Sequence, residues 1–347
     1  MSNILESQFE DADPNASDRK KDHISLAFQS RIAPSTLDER FYYEPILSGH
    51  PNEQVDIGKT FLGKTFATPI WVSSMTGGTQ KAAIINQNLA KACFDFGMGM
   101  GLGSCRQLLT DDTYLNDFQV RNTIGSQPLF ANLGIAQVML LLENKQWNLV
   151  DELLKKLEAD GLIIHVNPLQ EWLQTEGDRY YTSPLDVIKR VMNHMDSKKI
   201  MVKEVGQGMG LKSLQALLEL PLGAIDFGAN GGTNFSLLEL LRTKEGADHD
   251  LKPLVHVGHA AFEMVDMVNQ IVDKKLVKVA CNELIISGGI SDFLDGFYLM
   301  KKSRLSSVYG QASGFLKHAM GDYEALYEYV SHQKEGLSIA HTFLSIK

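Results

Sequence analysis

The chain has 347 residues, 44% of them hydrophobic, and a formal net charge of −9. That acidic balance excludes a general nucleic-acid or anionic-membrane surface, which needs a basic excess, but leaves room for a local basic pocket. The widely spaced Cys93, Cys105 and Cys281, with no C-x-x-C, exclude a disulfide framework or cysteine zinc site and read as reduced thiols.

Residues 1–18 are acidic, polar and broken by Asp13-Pro14-Asn15, and are expected to be disordered; residues 19–347 are expected to form a single domain. The first twenty residues hold no apolar segment of the kind a secretory signal needs, so a soluble, cytoplasmic protein is expected. Arg19-Lys20-Lys21-Asp22-His23 packs four potential cations into five residues, either as a solvated charged segment or as a lid for an anionic substrate. Gly58-Lys59-Thr60-Phe61-Leu62-Gly63-Lys64-Thr65 matches the phosphate-loop pattern G-x-x-x-x-G-K-T. That mechanism needs a strand before the loop and a helix after it. Pro69 and the β-rich Ile70-Trp71-Val72 follow instead, so a hairpin leading into the first barrel strand is expected.

Short apolar stretches ending in Gly, Ser, Thr or Asn then recur at residues 69–74, 98–103, 128–132, 161–167, 200–205, 223–227, 283–287 and 307–311. Amphipathic helical patterns separate them, among them 79–96, 148–160, 184–194, 211–220 and 262–274. Continuous apolar strands alternating with helices imply parallel strands covered on both faces. Eight suit an α/β fold of the (β/α)₈ TIM-barrel type, with the active site at the strands' C-terminal ends. Residues 254–257 are a ninth strand candidate, and an open doubly wound sheet is the alternative, although no G-x-G-x-x-G follows the first strand.

Most strand ends carry chemistry. The first gives Ser73-Ser74-Met75-Thr76-Gly77-Gly78; the second gives Gly103-Ser104-Cys105-Arg106, whose guanidinium can pair bidentately with phosphate; the third gives Asn132. The fourth, His165-Val166-Asn167-Pro168-Leu169-Gln170-Glu171, sets an imidazole, carboxamides and a carboxylate where a strand meets a loop. A histidine in an apolar strand is by itself more often a satisfied core residue, but the polar cluster after it favours a catalytic group. Lys203 is a cation inside the fifth apolar strand and needs an anionic or strongly accepting partner, such as the N1–C2=O edge of a flavin. A pair with Glu204 is disfavoured, since neighbouring strand residues point to opposite faces. The last three ends, 226–233, Ser287-Gly288-Gly289-Ile290 and Gly310-Gln311-Ala312-Ser313-Gly314, are glycine-rich and read as a phosphate cradle.

Together these pieces resemble the type 2 isopentenyl-diphosphate isomerases, from about residue 19 to 319. Arg19-Lys20 with Asp22-His23-Ile24, Met75-Thr76-Gly77-Gly78, Gly103-Ser104 with Arg106 and the whole stretch 165–171 carry the likeness. So do Val202-Lys203-Glu204-Val205-Gly206, Gly231-Gly232-Thr233 and Ser287-Gly288-Gly289. The stretch 165–171 is specific to that family; the glycine segments are shared with other FMN barrels. The resemblance implies FMN held by Ser74, Met75, Thr76, Ser104, Asn132, Lys203 and Thr233, with its phosphate at Gly288, Gly289, Ile290, Ala312 and Ser313. It implies Gln170, His165 and Asn167 as catalytic residues that also touch substrate. Arg19, Lys20, His23 and Arg106 would bind the diphosphate of isopentenyl or dimethylallyl diphosphate, and Glu171 would carry Mg²⁺. NADPH would serve only to reduce the flavin, and a homo-oligomer, tetramer or octamer, is implied, with no nucleic-acid or membrane partner. The chain departs from the family pattern at Ala229, at Val257-Gly258-His259-Ala260-Ala261 and near Asp292. Rival readings are an FMN oxidoreductase of the 2-hydroxy-acid oxidase type and a non-catalytic phosphate-binding barrel.

Overall fold

The computed structural model describes residues 16–52, 55–73, 80–242 and 249–347. They fall into two compact units, one of residues up to 42 with Lys347 and one of residues 43–346. In the first, a helix spans Ala16–Leu26 and so begins within the stretch expected to be disordered; residues 1–15 lie outside the described residues.

The second unit holds a closed barrel of eight strands, every neighbouring pair parallel. They are β1 (Ile70–Val72), β2 (Gly99–Gly101), β3 (Leu129–Gly134) and β4 (Gly161–His165), then β5 (Ile200–Lys203), β6 (Ala224–Asp226), β7 (Glu283–Ser287) and β8 (Ser306–Gln311). Each overlaps one of the eight apolar stretches, and pairing of Tyr309 with Ile70 closes β8 onto β1. The chain is a (β/α)₈ TIM barrel, and the open-sheet alternative is excluded. Side chains on both faces of the strands are buried, as Leu162, Ile163 and Ile164 of β4 illustrate. Closure leaves no strand edge.

Between the strands run α1 (Gln80–Phe96), α2 (Ile135–Glu143), α3 (Asn148–Leu157), α4 (Pro168–Leu173), α5 (Pro184–Val191) and α6 (Leu211–Leu218). They are followed by α7 (Phe235–Arg242), α8 (Ala261–Asp273), α9 (Phe293–Lys302), α10 (Ser313–Ala319) and α11 (Tyr323–Phe343). The ninth strand expected at 254–257 is absent. Most of that stretch belongs to a 3₁₀ helix, His249–His256, because Pro253 lacks the N–H a ladder needs and the closed barrel offers no edge to join.

The segment resembling a phosphate loop is a hairpin of Lys59–Phe61 and Lys64–Phe66, with Thr60 opposite Thr65. Leu62 (φ 51°) and Gly63 (φ 70°) both take the left-handed conformation a tight hairpin turn demands. Phe61 and Phe66 are fully buried in a cluster with Trp71, Phe130, Ile163 and Val308. The Leu62 N–H donates to Glu283 Oε2 at 2.8 Å, Lys59 Nζ to Ser307 O at 3.0 Å and Lys64 Nζ to Asp160 Oδ1 at 3.0 Å. Those partners all lie at or next to strand N-termini, so the hairpin plugs that end of the barrel and leaves the other for a site.

Candidate active site

Strand register brings Gly134, His165, Lys203 and Asp226 level across β3 to β6. A Cβ at Gly134 would stand 2.9 Å from His165 Nε2 and 2.3 Å from Gln137 Oε1, so only glycine leaves room for the imidazole. Asn132 Nδ2 donates to Leu102 O at 3.1 Å, which turns its Oδ1 toward His165 Nδ1 at 2.8 Å. An amide oxygen only accepts, so Nδ1 carries the proton. Burial and then the nearby Lys203 charge push the His165 pKa down to about 3. The ring is therefore neutral at physiological pH, with Nε2 as an acceptor.

Beyond β4, Pro168 at the first helical position starts α4, with Asn167 as the residue before it. Asn167 Nδ2 donates to Gln170 Oε1 and to Glu171 Oε1, both at 3.0 Å, while its buried Oδ1 has no partner among the described residues. Gln170 Nε2 donates to Oε1 of the buried Glu239 on α7, also at 3.0 Å. Glu171 Oε2 accepts the Asp178 N–H at 2.8 Å, and Asp178 Oδ2 accepts from Arg106 at 3.0 Å and Gln137 at 2.9 Å. The structure thus joins Asn167, Gln170, Glu171 and Arg106 in one hydrogen-bonded network at the barrel mouth, with His165 held separately by Asn132. The Arg106 side chain is 58% exposed, so exchanging Asp178 for another anion costs it little.

A cavity of about 430 Å³ opens at the ends of β5 to β8, a size suited to a cofactor. Lys203, Thr233, Gly288, Gly289, Ile290, Ala312 and Ser313 line it, which brings together seven of the residues expected to hold a flavin. Gly288 (φ 90°) is left-handed, and a Cβ there would meet Ala229 O at 2.0 Å. Ser73 lines the same cavity, and its buried Oγ has no partner among the described residues. Lys203 Nζ donates to the Glu204 carbonyl at 2.7 Å. The Glu204 carboxylate turns away and accepts the N–H groups of Gly206 (2.7 Å), Gln207 (2.6 Å) and Gly208 (2.9 Å), as opposite strand faces require. Fully buried Asp226 accepts from Ser287 Oγ. Burial pushes its carboxyl pKa up while Lys203 opposes the shift.

Other expected contacts fall elsewhere. Ser104 is exposed after β2, and Asn132 faces His165; neither lines the cavity. Ser74, Met75 and Thr76 lie outside the described residues. Arg19, Lys20 and His23 sit on the helix Ala16–Leu26 of the first unit with exposed side chains. Ala229 stays outside the left-handed region, so that departure needs no glycine. His259 pairs with Glu263 at 3.0 Å, and Asp292 caps α9 by accepting the Leu294 and Asp295 N–H groups. Sequence reasoning missed Glu239 and Asp178, which carried no signal, and read Asp226 only as the start of the glycine-rich stretch 226–233. Among the described residues no group of three or more metal-ligating side chains is placed to hold an ion. No helix among them is long and apolar enough to cross a membrane.

No family model matches the chain. It is 33% identical over 307 residues to an isopentenyl-diphosphate delta-isomerase of Rickettsia felis, covering 87% of this chain and 85% of that protein. It is 32% identical over 327 residues to the enzyme of the same name from Rickettsia peacockii, covering 93% and 92%. Among solved structures it is similar to a mandelate oxidase variant with a monooxide FMN adduct, with TM-score 0.55, 13% identity and coverage of 89% and 88%. A flavocytochrome b2 variant with benzoylformate gives TM-score 0.57, 12% identity and coverage of 88% and 76%. At such identities these structures speak for the barrel fold alone.

Proposed function

The chain belongs to the isopentenyl-diphosphate delta-isomerase family, and from that premise we propose that it interconverts isopentenyl and dimethylallyl diphosphate with reduced FMN and Mg²⁺. The observation that carries this reading is the polar fan at the mouth: the neutral imidazole of His165, the carboxamides of Asn167 and Gln170, then the Glu171 carboxylate. The reaction adds one proton at the terminal alkene carbon and removes one from the allylic carbon. Neither carbon is activated by a carbonyl, so ordinary side-chain acids and bases are poorly matched to it. Bound in its reduced form, FMN would supply a group able to give and take a proton.

The chain's own residues bind and orient. Gly288, Gly289, Ile290, Ala312 and Ser313 would hold the cofactor phosphate and Lys203 and Thr233 the rest of it, with Ser74, Met75 and Thr76 as further contacts and Asn132 acting through His165. Support for that fit is the shared cavity, with Gly288 opened by a left-handed backbone that a side chain would block. Gln170, gripped by Asn167 and Glu239, orients the reacting end. His165 Nε2, left as an acceptor, would take a hydrogen bond from the substrate side, and Asn167 would hold Gln170 in place. Arg106, with Arg19, Lys20 and His23, would neutralise the diphosphate. Glu171 would carry Mg²⁺, an ion that often takes one carboxylate and completes its shell with substrate phosphates and water. NADPH would reduce the flavin without being consumed at each turnover, in a cytoplasmic homo-oligomer.

The oxidase reading borrows from the fold likeness but lacks its chemistry. Oxidising a hydroxy acid needs a base at the substrate carbon, and an imidazole held near pKa 3 is a weak one. An absorbance spectrum of the purified protein, then isopentenyl diphosphate turnover after anaerobic reduction, tests the proposal. A colourless, inactive protein would oppose it.

A further inference from the structure

Tyr329, on α11, reaches into the cavity between the loops that follow β7 and β8. It can do so because residue 314 is glycine: a Cβ there would stand 2.5 Å from the phenol oxygen. The ring is held on two sides, stacked on His318 at 4.4 Å and edge-on to Phe315 at 5.6 Å. Its hydroxyl donates to Gln311 Oε1 at 3.0 Å and accepts from Gln333 Nε2 at 2.9 Å. Gln311 Oε1 also accepts from Gln333 Nε2, at 3.1 Å, and Gln311 Nε2 donates to Ile290 O at 3.1 Å. Gln333 Oε1 in turn accepts from Tyr309 at 2.9 Å.

The arrangement is redundant at one point. If the phenol proton leaves Gln311, that oxygen still has Gln333, so no buried acceptor is stranded. A rotation of the hydroxyl hydrogen about the phenol C–O bond suffices, with no heavy atom moving. The network can therefore release one donor into the cavity without cost elsewhere.

That end of the cavity is the glycine-rich one, at Gly288, Gly289, Ala312 and Ser313. Lys203, the one cation among its described lining residues, stands on β5, three strands from β8. Asp292, whose charge reaches Tyr329, directs its Oδ1 to the amides of Leu294 and Asp295. An anion at this end would be met by neutral donors, of which a phenol is the most acidic. We infer that Tyr329 is part of the cofactor site and donates a hydrogen bond to the terminal phosphate of bound FMN. Burial raises the phenol's pKa, which keeps the proton available. The inference rests on the FMN reading given above.

The test compares two flavins that differ only in that phosphate. Apoprotein of the full chain is titrated with FMN and with riboflavin, followed by flavin fluorescence, for the wild type and for Tyr329→Phe. The variant is expected to weaken FMN binding by about tenfold or more, the worth of a hydrogen bond to a charged group, and riboflavin binding by no more than about twofold. Retained riboflavin binding also shows that the variant is folded. Equal losses for both flavins, or unchanged FMN affinity, would overturn the assignment of Tyr329. A wild type that binds neither flavin would instead overturn the FMN reading, before any variant is made.

Discussion

The Gln170 carboxamide is held at both ends: Asn167 Nδ2 donates to its oxygen, and its nitrogen donates to the buried Glu239 carboxylate at 3.0 Å. An amide clamped this way cannot flip, so its proposed orientation toward substrate would be set before substrate arrives. Glu239→Ala should therefore lower kcat by roughly 10- to 100-fold with little change in KM. Glu239→Gln should recover part of the loss, because its amide oxygen can still accept from Gln170. A KM effect with unchanged kcat would show that Glu239 serves substrate binding instead.

Glu171 is proposed to carry Mg²⁺; its two oxygens already accept N–H groups from Asn167 and Asp178. Glu171→Gln keeps the shape and removes the charge. It should abolish most activity and raise the Mg²⁺ concentration needed for the remainder, while flavin content is unchanged. Full wild-type activity in excess EDTA would contradict the metal role.

Arg106 and Lys20 are each proposed to face the diphosphate. Arg106→Ala and Lys20→Ala should each raise KM by about tenfold or more, since charge-assisted bonds to phosphate are lost. Unchanged KM in both would leave residues 19–23 as a solvated segment and Arg106 as the surface partner of Asp178.

Lys64 answers to stability rather than catalysis. Burial pushes the Asp160 carboxyl up, but the Leu129 amide, Lys64 and Arg121 together hold it below its ordinary 3.8. A carboxyl with a depressed folded pKa stabilises fully above the unfolded value, and that stability fades as pH falls through the folded one. Lys64→Ala should cost about 1 kcal/mol at pH 7, less below about pH 4, with kcat intact. Thermal melts across that range measure it. A catalytic collapse without a change in melting would revive the phosphate-loop reading.

How much of this was legible depends on distance along the chain. The eight strands were, because apolar runs ending in glycine or a polar residue repeat at every βα unit. So was the hairpin at 59–66, since Pro69 forbids the helix a phosphate loop needs. The stretch 254–257 misled, being apolar and short, a pattern that strand and 3₁₀ helix share. His165, Asn167, Gln170 and Glu171 are within seven residues and could be read together. Glu239 could not: it meets Gln170 across 69 positions, from a helix that carried no motif of its own. The Asn132–His165 pair was hidden likewise, each residue having been read for a different ligand.

The central claim is that the flavin acts without net redox change, and a stoichiometry tests it most directly. Anaerobic enzyme is supplied with limiting NADPH and excess isopentenyl diphosphate in D₂O, with NADPH oxidation and dimethylallyl diphosphate followed together. The account predicts many products per NADPH oxidised, deuterium at the newly protonated methyl group and no turnover by the oxidised enzyme. One NADPH consumed for each product formed would contradict it.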